Sequence, residues 1–106
     1  MLQPFFVWKD KKLIRIDPVH VMFLKTEGNY TKIILSNETY FMVHASLSTV
    51  LKKMPEEMFI KTHRSWAASI FYIETIDRIS LVICNNVIPI ARQYYKTVLE
   101  QLNVIE

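Results

Sequence analysis

Catalysis or metal binding needs reactive side chains whose spacing brings them together, such as two histidines four apart on a helix or two CxxC units. Neither pattern occurs. His20, His44 and His63 are scattered, each within or beside an apolar run, and are expected as packed or rim side chains, not ligands. Cys84, the single cysteine, lies in an apolar run without a basic neighbour to activate its thiol, and is expected in the core. Glu56 and Glu57 are adjacent and cannot face one substrate together from a strand, while Glu74 and Asp77 alternate with isoleucines. Solvated positions are expected for both pairs. One glycine, Gly28, cannot build a phosphate-cradling loop. No catalytic residue, metal ligand or cofactor is expected, and an enzyme using His63 with Glu74 or Asp77 is the weakest of the functional classes.

Hydrogen-bonding and basic side chains are grouped differently. Three clusters stand out: Glu27-Gly28-Asn29-Tyr30-Thr31-Lys32, Lys61-Thr62-His63-Arg64-Ser65-Trp66, and Ala91-Arg92-Gln93-Tyr94. These are side chains that meet nucleic acid: arginine forks onto guanine O6 and N7, asparagine and glutamine onto adenine, and hydroxyls onto phosphate. Loops are polar in any case, so composition alone puts this reading only slightly ahead of an ordinary solvated surface.

The elements that must position these clusters read as strands. Short β-branched and aromatic runs occur at Phe5–Trp8, Leu13–Ile16, Val19–Lys25, Tyr30–Leu35, Thr39–Val43, Met58–Lys61, Ile73–Ile79, Ser80–Cys84 and Val87–Ile90. Gly28-Asn29, Ser36-Asn37-Glu38 and Asn85-Asn86 suit tight antiparallel turns. Leu47, Val50, Leu51 and Met54 fall at helical spacing between a capping Ser46 and Pro55, and Tyr95, Val98, Leu99 and Leu102 form a second helical stripe within Gln93–Leu102. Trp66-Ala67-Ala68-Ser69 reads as a helical turn.

With 106 residues, 51% hydrophobic and 22% charged, the chain is expected as one β-rich domain over 1–106, able to bury roughly 65% of its unfolded surface. The formal charge of +3 permits a nucleic-acid partner without requiring one. The lone cysteine suits a reducing cytosol, and the apolar run Leu2–Trp8, interrupted by Gln3 and Pro4, is too short to span a membrane. A cytoplasmic protein without a membrane or small-molecule partner is expected.

At the three clusters the chain resembles the LytTR DNA-binding domain of bacterial response regulators of the LytR and AgrA type. Val21-Met22-Phe23-Leu24 followed by Thr26-Glu27-Gly28-Asn29-Tyr30 is similar to the family's hydrophobic strand with its E-G-N-Y ending. Ser46-Leu47 resembles its "SL" helix, Phe59 to Trp66 its F-I-x-x-H-R-S-aromatic block, and Ile88 to Tyr95 its I-P-[VI]-S-R-x-Y block. The resemblance covers nearly the whole chain. It implies a mainly β, elongated arrangement of small antiparallel sheets with two or three short helices, in which loops enter the DNA major groove.

Carried over position by position, the family's contacts fall on Asn29, Tyr30, Thr31 and Lys32, with Thr31 at the main base-reading position. They fall next on His63, Arg64 and Ser65, with Arg64 facing the minor groove and backbone, and finally on the base-reading Arg92 with Gln93 and Tyr94. Tyr30 is equally suited to packing, and for His63 a structural role, holding the loop that aims Arg64, is favoured over contact. Thr31 is too short for a bidentate base contact, Ala91 replaces a common capping Ser, Ser69 a common Asn, and Lys25 a common acidic residue, the last two altering the surface little. The resemblance further implies double-stranded DNA as partner, adjacent repeat sites, a homodimer formed on DNA, and a role in transcription regulation. The family's usual receiver domain is not expected in this chain, which leaves an excised module or a free-standing one. The competing class is a protein-interaction module using strand edges and Phe5, Phe6 and Trp8.

Overall fold

Alternation of apolar and polar side chains along short runs builds the fold, because a strand with one buried face repeats every two residues. The computed structural model describes residues 3–106, so Leu2 of the N-terminal apolar run lies outside it, and these residues form ten strands and two short helices. Strands β1 (Phe5–Lys9) and β2 (Lys12–Ile16) make a hairpin. Strands β3 (Val21–Glu27), β4 (Tyr30–Leu35), β5 (Tyr40–Val43), β6 (Phe59–His63) and β7 (Trp66–Ser69) form an antiparallel sheet in the order β5-β4-β3-β7-β6. Strands β8 (Thr75–Ile76), β9 (Ser80–Ile83) and β10 (Asn86–Pro89) form a third, antiparallel sheet. The helices are α1 (Leu47–Leu51) and α2 (Tyr95–Glu100). The molecule measures 48 × 30 × 25 Å and is mainly β, as expected.

The five-stranded sheet is the middle layer. On one face Leu24, Ile33 and Ala67 pack with Leu47 and Val50 of α1 and with Val7 and Ile16 of the hairpin. On the other face Phe23, Ile60 and Ala68 pack with Leu81, Ile83 and Ile88 of the small sheet and Val98 of α2. Ser46 caps α1, its Oγ accepting the Thr49 N–H at 3.1 Å. Among the described residues no helix is long and apolar enough to cross a membrane.

Several local expectations are corrected. Trp66–Ser69 is a strand, not a helical turn: Ala67 and Ala68 are fully buried on opposite faces between β3 and β6, where small side chains let both cores close onto the sheet. The run Ile73–Ile79 pairs only at Thr75–Ile76, because a 3-10 turn occupies Ile70–Tyr72 and Asp77 folds the chain back. Its Oδ1 accepts the N–H groups of Ile79 and Ser80, both at 2.9 Å. Val19 belongs to a 3-10 turn over Pro18–His20, where Pro18 begins the turn. The segment from Gln93 opens inside a 3-10 turn, Arg92–Tyr94, uncapped by the side chain of Ala91.

Cys84 is exposed, not core. Ile83 pairs with Asn86, so the two central residues of that hairpin are Cys84 and Asn85, at φ 45° and 68°. A left-handed turn matching strand twist outweighs the burial of one thiol. The expected turn at Gly28-Asn29 is found, with Glu27 opposite Tyr30. Gly28 takes φ 59° and a Cβ there meets nothing within 4 Å, so backbone conformation, not space, favours glycine.

Candidate nucleic-acid interface

The three polar clusters lie far apart in sequence and adjacent in the fold. The turn between β3 and β4 carries the first, the turn between β6 and β7 the second, and the 3-10 turn after β10 the third. Antiparallel pairing of β3 with β7 brings the first two turns to one end of the sheet, where Thr26 N–H donates to the Ser65 carbonyl at 2.9 Å. Ala91 N–H donates to the Thr62 carbonyl at 2.8 Å and fastens the third cluster to the second. Both bonds are main-chain to main-chain, so they hold position whatever the side chains do.

Within this frame the named residues divide. Asn29, Arg64, Arg92 and Gln93 are exposed, Lys32 is half-buried, and neither arginine is ion-paired among the described residues. Tyr30 is 44% exposed, its ring centroid 4.9 Å from that of His44. His63 is half-buried, and its Nδ1 accepts the Ser65 N–H at 3.0 Å, which leaves Nε2 as the donor nitrogen and tightens the turn presenting Arg64. Ser65 contributes its main chain at both bonds described for it. Tyr94 packs against the core under the small sheet.

Thr31 is corrected. Alternation along β4 turns it inward, it is fully buried, and its Oγ1 donates to the Ala45 carbonyl at 2.8 Å. Its side chain therefore fixes the segment entering α1 and cannot touch a base.

Lys25 is the residue that sequence reasoning undervalued. Strand register sets Met42, Lys32, Lys25, Trp66 and His63 in one row across the sheet, so Lys25 fills the gap between the first and second clusters. Lys25 and Lys32 are directly opposite, a pairing that like charge disfavours. Each ammonium rests over an aromatic ring, Lys32 at 4.2 Å from the Tyr40 centroid and Lys25 at 5.1 Å from that of Trp66. Glu27 is 3.9 Å from Lys25 and is the one acidic neighbour in ion-pair range among the described residues. The signal in sequence is a lysine where the family commonly has an acidic residue; its partner across the sheet is invisible without register.

No group of three or more metal-ligating side chains forms among the described residues. The arrangement instead offers planar arginines, amides and ammonium groups on tied turns, a surface suited to a polyanion with readable edges.

Fold and site thus define a layered β-domain whose basic face is built from turns. The model of the LytTr DNA-binding domain matches residues 11–103, and the chain belongs to that family. The chain is 24% identical over 101 residues to the sensory transduction protein LytT of Enterococcus faecalis (strain ATCC 700802 / V583), an alignment covering 90% of this chain and 41% of that protein. The chain therefore spans about two fifths of the curated relative. Its fold is that of a solved LytTr DNA-binding domain from Bacillus cereus, with TM-score 0.81 and 20% identity over 95% of this chain and 97% of the other.

Proposed function

We propose that this chain binds double-stranded DNA sequence-specifically by placing its turns in the major groove, as a bacterial transcription regulator or the effector domain of one. The observation that carries the reading is the pair of main-chain bonds, Thr26 to Ser65 and Ala91 to Thr62, that sets the three clusters side by side. Arg92 reads a base, with Gln93 beside it. Asn29 and Tyr30 meet DNA from the first turn, and Arg64 meets the backbone and minor groove from the second, aimed by His63. Lys32 and Lys25 neutralise phosphates, each adding about 0.9 to the slope of log K against log salt. Two copies occupy adjacent repeats and dimerise on DNA.

The test begins with selection of bound sequences from a random duplex library, followed by anisotropy titration. Arg92→Ala is expected to weaken the selected site by roughly 5- to 150-fold, the size of one bidentate base contact, and random duplex by far less. Equal loss on both sequences would end the base-reading role, and a library without enrichment would end the sequence-specific reading.

A further inference from the structure

The β1–β2 hairpin has two unlike faces. Its register pairs Trp8 with Leu13 and Phe6 with Arg15, so these side chains share the outer face, while Phe5, Val7, Ile14 and Ile16 point to the core. Phe6, Trp8 and Leu13 remain 56%, 71% and 52% exposed. Arg15 shares the outer face and exposed Lys11 stands at the tip, while exposed Lys9 and Lys12 pair with each other on the inner face at its edge; two acids accompany them, Asp10 at the tip and Asp17 at 3.7 Å from Arg15. Beside Phe6 a groove of about 550 Å³ opens between β1 and α1, walled by Phe5, Val7, Val43 and Val50, with exposed Lys52 and Lys53 on its lining.

What covers this face is narrowed by position, area and charge. Lys9 Nζ lies 5.3 Å from the ring centroid of Phe41, which pairs with Ile33, three residues back from Tyr30. The hairpin tip is thus directed away from the end that carries the DNA-facing turns. A second copy is a poor occupant: the three side chains offer roughly 350–400 Å², about half of the ~800 Å² per partner in a standard interface. Packing two such faces together would also bring Arg15 towards its own copy. A lipid surface needs no matching shape, and it rewards apolar side chains that protrude beside cations.

We propose that this hairpin anchors the chain to an anionic bilayer surface. Phe6, Trp8 and Leu13 enter the boundary between headgroups and acyl chains, and Lys11, Arg15, Lys52 and Lys53 meet lipid phosphates. The proposal is independent of the DNA reading, since the two surfaces use different residues.

The experiment mixes the full chain with vesicles of phosphatidylcholine alone or with a minority of phosphatidylglycerol, read by co-sedimentation and tryptophan emission. Binding to the anionic vesicles alone is expected, with a blue shift from Trp8. The variant Phe6→Ser/Trp8→Ser/Leu13→Ser keeps every charge and should lose more than about tenfold in vesicle affinity, with unchanged circular dichroism and DNA titration. Single Trp8→Ser, at the most exposed of the three positions, should move the same way by less, so the test survives if the triple variant does not fold. Vesicle binding should persist when the protein is saturated with duplex. Equal vesicle binding by wild type and variants, or displacement from vesicles by duplex, would overturn the proposal by assigning the binding to general attraction at the basic turns. Absence of binding to anionic vesicles would overturn it outright, and a concentration-dependent dimer lost in the same variants would assign the face to a second copy.

Discussion

The end of the sheet where β3 turns into β4 and the hairpin at the N-terminal side are both basic, yet they are built in opposite ways. At the first, polar groups are spent on structure: Thr31 Oγ1 on Ala45, Ser65 N–H on His63, and two main-chain bonds between turns. Arg64 and Arg92 are not ion-paired among the described residues, and Lys25 and Lys32 rest on aromatic rings. At the hairpin no side chain of the outer face hydrogen-bonds another among the described residues, and three large apolar groups are left in water. Reading a sequence of bases requires donors held within a fraction of an ångström. Adhering to a soft surface requires only area and charge. One small domain thus carries an end tied by hydrogen bonds and, on a separate two-stranded sheet, a face that leaves apolar side chains in water.

That contrast can be broken most forcefully at Thr31. Thr31→Val keeps shape but leaves the Ala45 carbonyl unpaired, and should cost about 1–3 kcal/mol in urea unfolding, whereas Trp8→Ser should stay within about 0.5 kcal/mol of wild type. A neutral Thr31→Val, or a damaging Trp8→Ser, would erase the distinction between the two ends. Next in size is Lys25→Gln, expected to lower the salt slope of DNA binding by about 0.9 and to weaken selected and random duplex alike. Its effect on folding should be slight, since relief of the Lys32 repulsion offsets the lost contact with Trp66. An unchanged slope would place Lys25 outside the DNA footprint.

The smallest effect concerns a turn that belongs to neither end. Hydrogen bonds from the Ile79 N–H, then from the Ser80 N–H, hold the Asp77 carboxyl below its ordinary value of 3.8. A group whose folded value is depressed stabilises above its unfolded value and loses that contribution as pH falls through the folded one. The stabilisation is therefore complete at neutral pH and fades below about pH 4. Thermal melts of Asp77→Asn, which keeps the acceptor oxygen but not the charge, should show a flatter acid limb than wild type. Equal limbs would hand the acid sensitivity to another carboxylate.

Much of the fold was legible because its signals are local. Gly28 marks a turn through its own backbone, Ser46 a helix start through its own hydroxyl, and alternation marks β4 without reference to neighbours. Trp66–Ser69 was misread for the complementary reason: alanine carries no strand preference, and its conformation is imposed by β3 and β6 on either side and by a core on each face. Of the candidate site, the three clusters are legible in sequence and their adjacency is not. What stayed hidden was direction. Thr31 and Lys32 are neighbours in sequence, yet β4 turns one into the core and the other out, and Lys25 gains its place from a strand partner.

The order β5-β4-β3-β7-β6 has a metric consequence. Neighbouring strands sit about 4.8 Å apart, and the β3–β4 and β6–β7 turns are centred two such intervals from each other, roughly 10 Å. Hydrogen bonds of the ladder, not loop length, set that interval, which matches about three base-pair steps of duplex at 3.4 Å each. The central sheet is in this sense a ruler. Under the proposed DNA reading, lengthening either turn would alter what is touched but not the interval between the two turns.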